Sequence, residues 1–152
     1  MTASTLNILL ADDSADEHFL FLHTMKNVDT DVKIYTVLNG VELIKWLNQP
    51  DAVMPDLLFL DLNMPLKNGK ETLKEIRKND RFADLNVLIY STSDEKRDVD
   101  ETFALGANLY VKKPQDYNEL ERTLSKLISL YREKGIERFE KPQYVFSLQE
   151  KY

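Results

Sequence analysis

Apolar positions along this chain follow two alternating rhythms. The first is the short unbroken run. Leu57-Leu58-Phe59-Leu60 follows a Pro55-Asp56 break and ends at Asp61. Such a run predicts a strand buried on both faces, which belongs in the middle of a parallel sheet. Leu6 to Ala11, Val32 to Val37, Asn86 to Ser91 and Leu109 to Val111 predict four more strands. The second rhythm has helical spacing. Ala15, His18, Phe19, Leu22 and Met25 predict a helix of about four turns ending near Asn27. Val41, Ile44 and Leu47 mark a second helix, and Leu73 with Ile76 a third. Val99, Phe103 and Ala104 mark a weaker, highly charged fourth helix between Asp94 and Leu105. Leu120, Leu124, Leu127, Ile128 and Tyr131 mark a fifth.

Cap chemistry supports these boundaries. Ser14 with Glu17, Asn39 with Glu42, Asn68 with Glu71, and Asp116 with Glu119 all have capping-box spacing. Gln49-Pro50-Asp51 ends the second helix and Gly106-Ala107 the fourth. Strands alternating with helices specify an α/β fold: a parallel sheet covered on both faces by right-handed crossovers.

Length and composition narrow the function classes. The 152 residues suffice for one domain and a short extension, and 43% hydrophobic content supplies an ordinary core. The formal net charge of −6 disfavours non-specific binding to nucleic acid or to an anionic membrane. With no cysteine, disulfides, thiolate metal sites and thiol catalysis are excluded. The apolar stretch from Ile8 to Ala11 is too short for a signal peptide or membrane span, so a cytoplasmic protein is expected.

The chemistry gathers where the strands end. An open parallel sheet presents its sites at the carboxyl edge of the strands. There the first strand delivers Asp12 and Asp13, the third Asp61, the fourth Ser91 and the fifth Lys113. Each feature alone has an ordinary explanation. Asp12-Asp13 suits a helix N-terminus, Lys112-Lys113 an exposed strand edge, and Tyr110 a half-buried core ring. Together they differ. Three ionised carboxylates do not crowd together without a cation. Hard oxygen donors with few protein contacts suit Mg²⁺, which keeps several waters and shares phosphate oxygens. A lysine and a hydroxyl neutralise the remaining oxygens of a phosphoryl group, and an aspartate accepts it as an acyl phosphate. The constellation predicts a magnesium-assisted site at which Asp61 takes up phosphate.

From about Asn7 to Arg132 the chain resembles the receiver domains of two-component response regulators. The resemblance rests on Asp12-Asp13, on Asp61 followed by Met64-Pro65 and Gly69, on Ser91, on Gly106-Ala107, and on Tyr110 with Lys113-Pro114. It implies a flavodoxin-like (βα)5 three-layer sandwich of strand order 2-1-3-4-5. It implies Asp61 as phosphoacceptor and Asp13 as a direct magnesium ligand. Asp12 would bind the metal through water, and Asn63 would offer its backbone carbonyl. Lys113, which directly precedes Pro114, matches the family lysine, and the Lys113–Pro114 bond is expected to be cis. Ser91 and Tyr110 match the switch pair, in which the hydroxyl moves to the phosphate and the ring turns inward. Within the family the chain looks most like the small regulators that partner bacterial phytochrome kinases. Thr92 departs from the pattern, being bulkier than the small residue usual beside the switch hydroxyl.

Residues 1–134 are accordingly expected to form the receiver domain and residues 135–152 a short C-terminal extension, with no separate output domain. The implied function is a single-domain response regulator. It takes a phosphoryl group from a sensor histidine kinase or phosphotransfer protein and relays it to a protein partner. Homodimerisation through the face of the fourth helix, fifth strand and fifth helix is a further implication. The alternative is a phosphorylation-independent interaction scaffold. A hydrolase with an aspartyl nucleophile would need a second aspartate two residues on as general acid, where this chain has Asn63. No enzymatic turnover of external substrates is therefore expected.

Overall fold

In a computed structural model, which describes residues 4–152, the apolar runs become one five-stranded sheet. Its strands are β1 (Leu6–Ala11), β2 (Val32–Val37), β3 (Leu57–Leu60), β4 (Val87–Ser91) and β5 (Leu109–Lys112). Their order is β2-β1-β3-β4-β5, and every neighbouring pair is parallel. The helices are α1 (Ala15–Val28), α2 (Gly40–Leu47), α3 (Gly69–Lys78), α4 (Lys96–Ala104), α5 (Tyr117–Lys134) and the short α6 (Lys141–Tyr144). This is the flavodoxin-like sandwich expected above, with α6 added.

Strand alternation divides the core in two. Ile8, Leu10, Leu57 and Phe59 face a layer containing Phe21 and Met25 of α1 and Leu120, Leu124 and Leu127 of α5. Leu9, Ala11, Leu58 and Leu60 face the other layer, with Leu43 and Leu47 of α2 and Leu73 and Ile76 of α3. All four β3 side chains are fully buried, so this central strand is clamped from both faces. Burial of each such side chain is worth about 1.5–3 kcal/mol.

The expected caps form. Ser14, Asn39, Asn68 and Asp116 each accept from the backbone N–H three residues on. Only Asn68 and Glu71 complete the reciprocal capping box. The Glu42 carboxylate instead accepts from Leu38 N, one residue before its cap. α4 starts without a side-chain cap.

Three expectations need correction. In α1 the buried residues are Phe21, Thr24 and Met25, and Phe19 is 71% exposed. Helical spacing admits both registers; Phe21 prevails because its ring meets Phe59 and Tyr90 edge-on, 5.0 and 5.9 Å between centroids. In α4 the buried residue is Thr102, while Val99 and Phe103 are only partly covered and Ala104 is exposed. The Lys113–Pro114 peptide is trans, as are all peptides among the described residues. Trans is the ordinary isomer even before proline, by about 0.5–1 kcal/mol, and Lys113 reaches its carboxylates in that form.

Candidate functional site

Three backbone hydrogen bonds place the site. Just past the end of β1, Asp12 N donates to Val37 O of β2 at 3.1 Å. Past the end of β3, Asp61 N donates to Ala11 O at 3.0 Å. Past the end of β5, Lys113 N donates to Ser91 O at 2.7 Å. Each residue is thus fixed by one bond to the neighbouring strand, at the sheet's carboxyl edge.

Asp61 is also fixed from behind. Gly69 N donates to Leu62 O at 3.0 Å, drawing the start of α3 against the chain leaving β3. A Cβ at Gly69 would stand 2.3 Å from Asp61 O and 2.7 Å from Leu62 Cα, so only glycine permits this approach. The intervening loop holds Leu66 at φ 66°, an uncommon conformation for a branched residue, with its side chain 81% exposed.

The side chains converge as the sequence suggested. Carboxylate oxygens of Asp12, Asp13 and Asp61 lie within 4.8 Å of one another. Asp12 and Asp61 are buried and Asp13 is exposed. Lys113 Nζ stands 2.6 Å from Asp12 Oδ2 and 3.4 Å from Asp61 Oδ2. Asp12 Oδ1 accepts from Ser14 N at 3.0 Å. Asn63 N donates to Asp61 Oδ1 at 3.4 Å. Lys112 points elsewhere, to Asp94 on the exposed edge.

These contacts set the charge balance. Burial pushes the Asp61 carboxyl above its ordinary pKa; Lys113 opposes this and Asp12 adds to it. Burial pulls the Lys113 ammonium down, but the hydrogen bond to Asp12 and the charges of Asp61 and Asp12 outweigh it, leaving its pKa raised. One ammonium among three acids leaves the cluster short of positive charge. Hard oxygen donors so arranged fit a divalent cation.

Ser91 and Tyr110 meet on one residue, Ser93. Ser91 is fully buried, and its Oγ accepts from Ser93 N at 3.2 Å. The Tyr110 ring is buried and its hydroxyl donates to Ser93 O at 2.7 Å. Ser93 Oγ in turn donates to Asp98 of α4, whose carboxylate also accepts from Lys70 at 2.7 Å. Thr92 is exposed.

Sequence reasoning missed three neighbours of the site. Ser93 lies just past the end of β4, and its role as junction depends on Ser91 and Tyr110 folding onto it. Tyr90 lies with its ring face 5.5 Å from Lys113 Nζ, and burial together with Glu17, Asp12 and Asp61 pushes its hydroxyl pKa up. His18 donates through Nε2 to Asp12 O at 2.6 Å.

Comparison with known proteins supplies the family. A model of the response regulator receiver domain matches residues 8–125. The chain is 28% identical over 130 residues to Response regulator Rcp1 of Synechocystis sp. (strain ATCC 27184 / PCC 6803 / Kazusa), covering 83% of this chain and 88% of that protein. The crystal structure of the Mn(2+)-bound form of response regulator Rcp1 superposes with a TM-score of 0.76 at 27% identity, over 87% of this chain and 98% of the other. The structure of the phosphorylated cyanobacterial phytochrome response regulator RcpA gives a TM-score of 0.78 at 28% identity, over 87% and 96%. No helix among the described residues is long and apolar enough to cross a membrane. Because the family match takes in every strand of the sheet from Ile8 onward, the chain belongs to the response regulator receiver domain family.

Proposed function

We propose that this protein accepts a phosphoryl group on Asp61 from a sensor histidine kinase or a phosphotransfer protein, with Mg²⁺ as cofactor, and passes the change to a protein partner. The carrying observation is the Lys113 ammonium set between Asp12 and Asp61 inside a trio of carboxylates. Asp13 and Asp61 would hold the metal directly, Asp12 through water, and the Asn63 carbonyl would complete the protein's share. Bound there, the cation offsets charge on phosphoryl oxygens.

The chain's own residues do the rest. An Asp61 carboxylate oxygen attacks phosphorus and the donor's phosphorus–nitrogen bond breaks, leaving an acyl phosphate. Lys113 moves from Asp12 to a phosphoryl oxygen, and the Ser91 hydroxyl donates to another. Ser91, Ser93 and Tyr110 then carry the change to α4 and β5. The protein catalyses only its own phosphorylation and dephosphorylation, since Asn63 stands where a hydrolase would need a general acid.

Phytochrome-associated relatives support a kinase partner. Phe19 on α1 and Leu66 after β3 are the two most exposed large apolar side chains among the described residues, and both stand on segments that adjoin the site. They suit a docking surface for the phosphoryl donor. Output through α4, β5 and α5, including homodimer formation, and a cytoplasmic location belong to the same reading.

Intact mass after incubation with acetyl phosphate and Mg²⁺ tests it. One added phosphoryl group in the wild type, and none in Asp61→Asn, is the expected result. No addition in the wild type would instead favour a phosphorylation-independent scaffold.

A further inference from the structure

The segment after α5 contains aromatic and apolar residues that the site does not use: Phe139, Tyr144, Val145, Phe146 and Tyr152. It folds back over the chain's own α4, β5 and α5. Phe139 N donates to Asn108 O at 3.3 Å. Tyr144, at the end of α6, is completely buried. Its hydroxyl pairs with Thr102 Oγ1 at 2.7 Å, and its ring meets those of Phe103 and Tyr110 edge-on at 5.1 and 6.1 Å. Val145 then forms a parallel bridge with Tyr110, and Phe146 N donates to Tyr110 O at 2.8 Å. The open edge of β5 is thereby covered at the switch tyrosine.

A second anchor lies on α5. Lys126 Nζ donates to Ser147 O at 2.9 Å and Leu148 O at 2.7 Å, and also to Glu150 O. The same ammonium lies 5.5 and 5.3 Å from the ring centroids of Phe146 and Tyr152, which stack on each other. Lys141 pairs with Asp100 of α4 at 2.8 Å, and Arg138 lies over the Phe103 ring at 4.4 Å. Tail contacts therefore reach all three elements of the face.

We propose that residues 139–152 are a lid on the α4–β5–α5 face. The docked lid covers the β5 edge at Tyr110 and closes that face to a second copy of the chain. Two physical arguments carry this. An uncovered edge strand with unpaired backbone groups is a template for another chain, and here one residue pairing and one backbone N–H from the tail block it. The surface beneath is also apolar and aromatic: lifting Tyr144 uncovers the rings of Phe103 and Tyr110, which a second copy would cover. The inference deepens the proposed function by naming what sits on its output face, and it depends on that reading only for calling the face an output.

The test uses the unphosphorylated 152-residue protein without Mg²⁺, so that it stands apart from the phosphoryl chemistry. Hydrogen exchange is read at the Phe139 and Phe146 amides in wild type, Tyr144→Ala and Lys126→Ala, with Phe59 and Leu88 amides as a control on the sheet. Sedimentation is measured over a range of concentrations for the same three proteins. In the variants the two tail amides are expected to exchange at least ~10-fold faster with the sheet amides unchanged, and a concentration-dependent dimer is expected where the wild type is a monomer. If Tyr144→Ala loosens the sheet, Lys126→Ala, changed on a partly exposed helix position, decides. Tail amides unprotected in the wild type, or as slow in the deciding variant as in the wild type, overturn the proposal. So does a freed tail with no gain in self-association. Failure of the wild type to take up phosphate in the separate mass experiment would refute the phosphoacceptor reading and leave this result standing.

Discussion

Lys113 rests on Asp12 rather than on Asp61: its ammonium is 2.6 Å from the first carboxylate and 3.4 Å from the second. The longer contact is a weak hydrogen bond, stretched past the usual N–H···O distance. Asp12 thus holds the lysine beside the proposed acceptor while Asp61 keeps an oxygen only weakly engaged. A short swing of the amine brings it to a phosphoryl oxygen.

Lys113→Ala is therefore expected to slow phosphoryl uptake from acetyl phosphate by about 10- to 100-fold, since one preset positive donor is lost. It also leaves two buried acids without their counter-charge, and breaking such a pair costs roughly 3–5 kcal/mol. Mg²⁺ should raise the melting temperature of the variant more than that of the wild type. Equal uptake rates, or equal metal-induced shifts, would count against the role given to Lys113.

Asp61→Asn should abolish phosphoryl uptake and leave the fold intact. Burial and Asp12 hold the Asp61 carboxyl above its ordinary pKa, so the native state binds more protons than the unfolded chain between the two values. Stability then falls as pH rises through that window, and the ionised carboxylate weakens the metal-free fold at neutral pH. The variant is expected to melt at or above the wild type at pH 7 without Mg²⁺, with the difference closing as pH falls into the ordinary carboxylate range. A variant that melts lower at pH 7, or a gap that widens on acidification, contradicts the assignment.

Gly69→Ala should damage the site through the backbone. The added Cβ meets Asp61 O and Leu62 Cα, which belong to the clamped end of β3 and have little room to move. A loss of about 1–3 kcal/mol is expected, together with slower phosphoryl uptake. Thermal melts and mass-resolved uptake check both; normal values for each would show that the loop yields.

Mg²⁺ titration followed by amide shifts should move Asp12, Asp13 and Asp61 at millimolar metal and leave residues of β2 unchanged. The donor set consists of three carboxylates, with no thiolate, so a hard cation is favoured over a soft one. Shifts that stay fixed at those three amides would sink the metal assignment.

Arg77 offers a stability prediction away from the chemistry. Its guanidinium donates to Gly106 O, Ala83 O, Leu85 O and Asn108 Oδ1, all at 2.8–2.9 Å. It ties the end of α3 to the entrances of β4 and β5, and Gly106, at φ 96°, turns its carbonyl to meet it. Arg77→Ala should cost roughly 3 kcal/mol, with four acceptors losing a charged donor. A melting temperature within a degree of the wild type would rule this out.

The sequence by itself determined the strands, their parallel arrangement, the capped helix starts and the carboxylates at the sheet edge. These follow from local rules: an unbroken apolar run has one stable use, a cap bonds three residues away, and a residue just past a parallel strand lies at one edge. The resemblance added the strand order and set Lys113 apart from Lys112. Tertiary structure decided what local rules leave open. Helical spacing allowed either Phe19 or Phe21 to face the core, and the rings of Phe59 and Tyr90 selected Phe21. Spacing placed Lys113 near three acids without saying that it rests on Asp12 and over Tyr90. Ser93 became the meeting point of Ser91, Tyr110 and α4 only when β4 and β5 paired. The tail shows the difference most clearly. Its aromatic residues carry no periodic signal, and the Thr102–Tyr144 bond joins positions 42 residues apart. Such a contact is fixed by the complementarity of two finished surfaces, which exists only after the sheet and its helices have assembled.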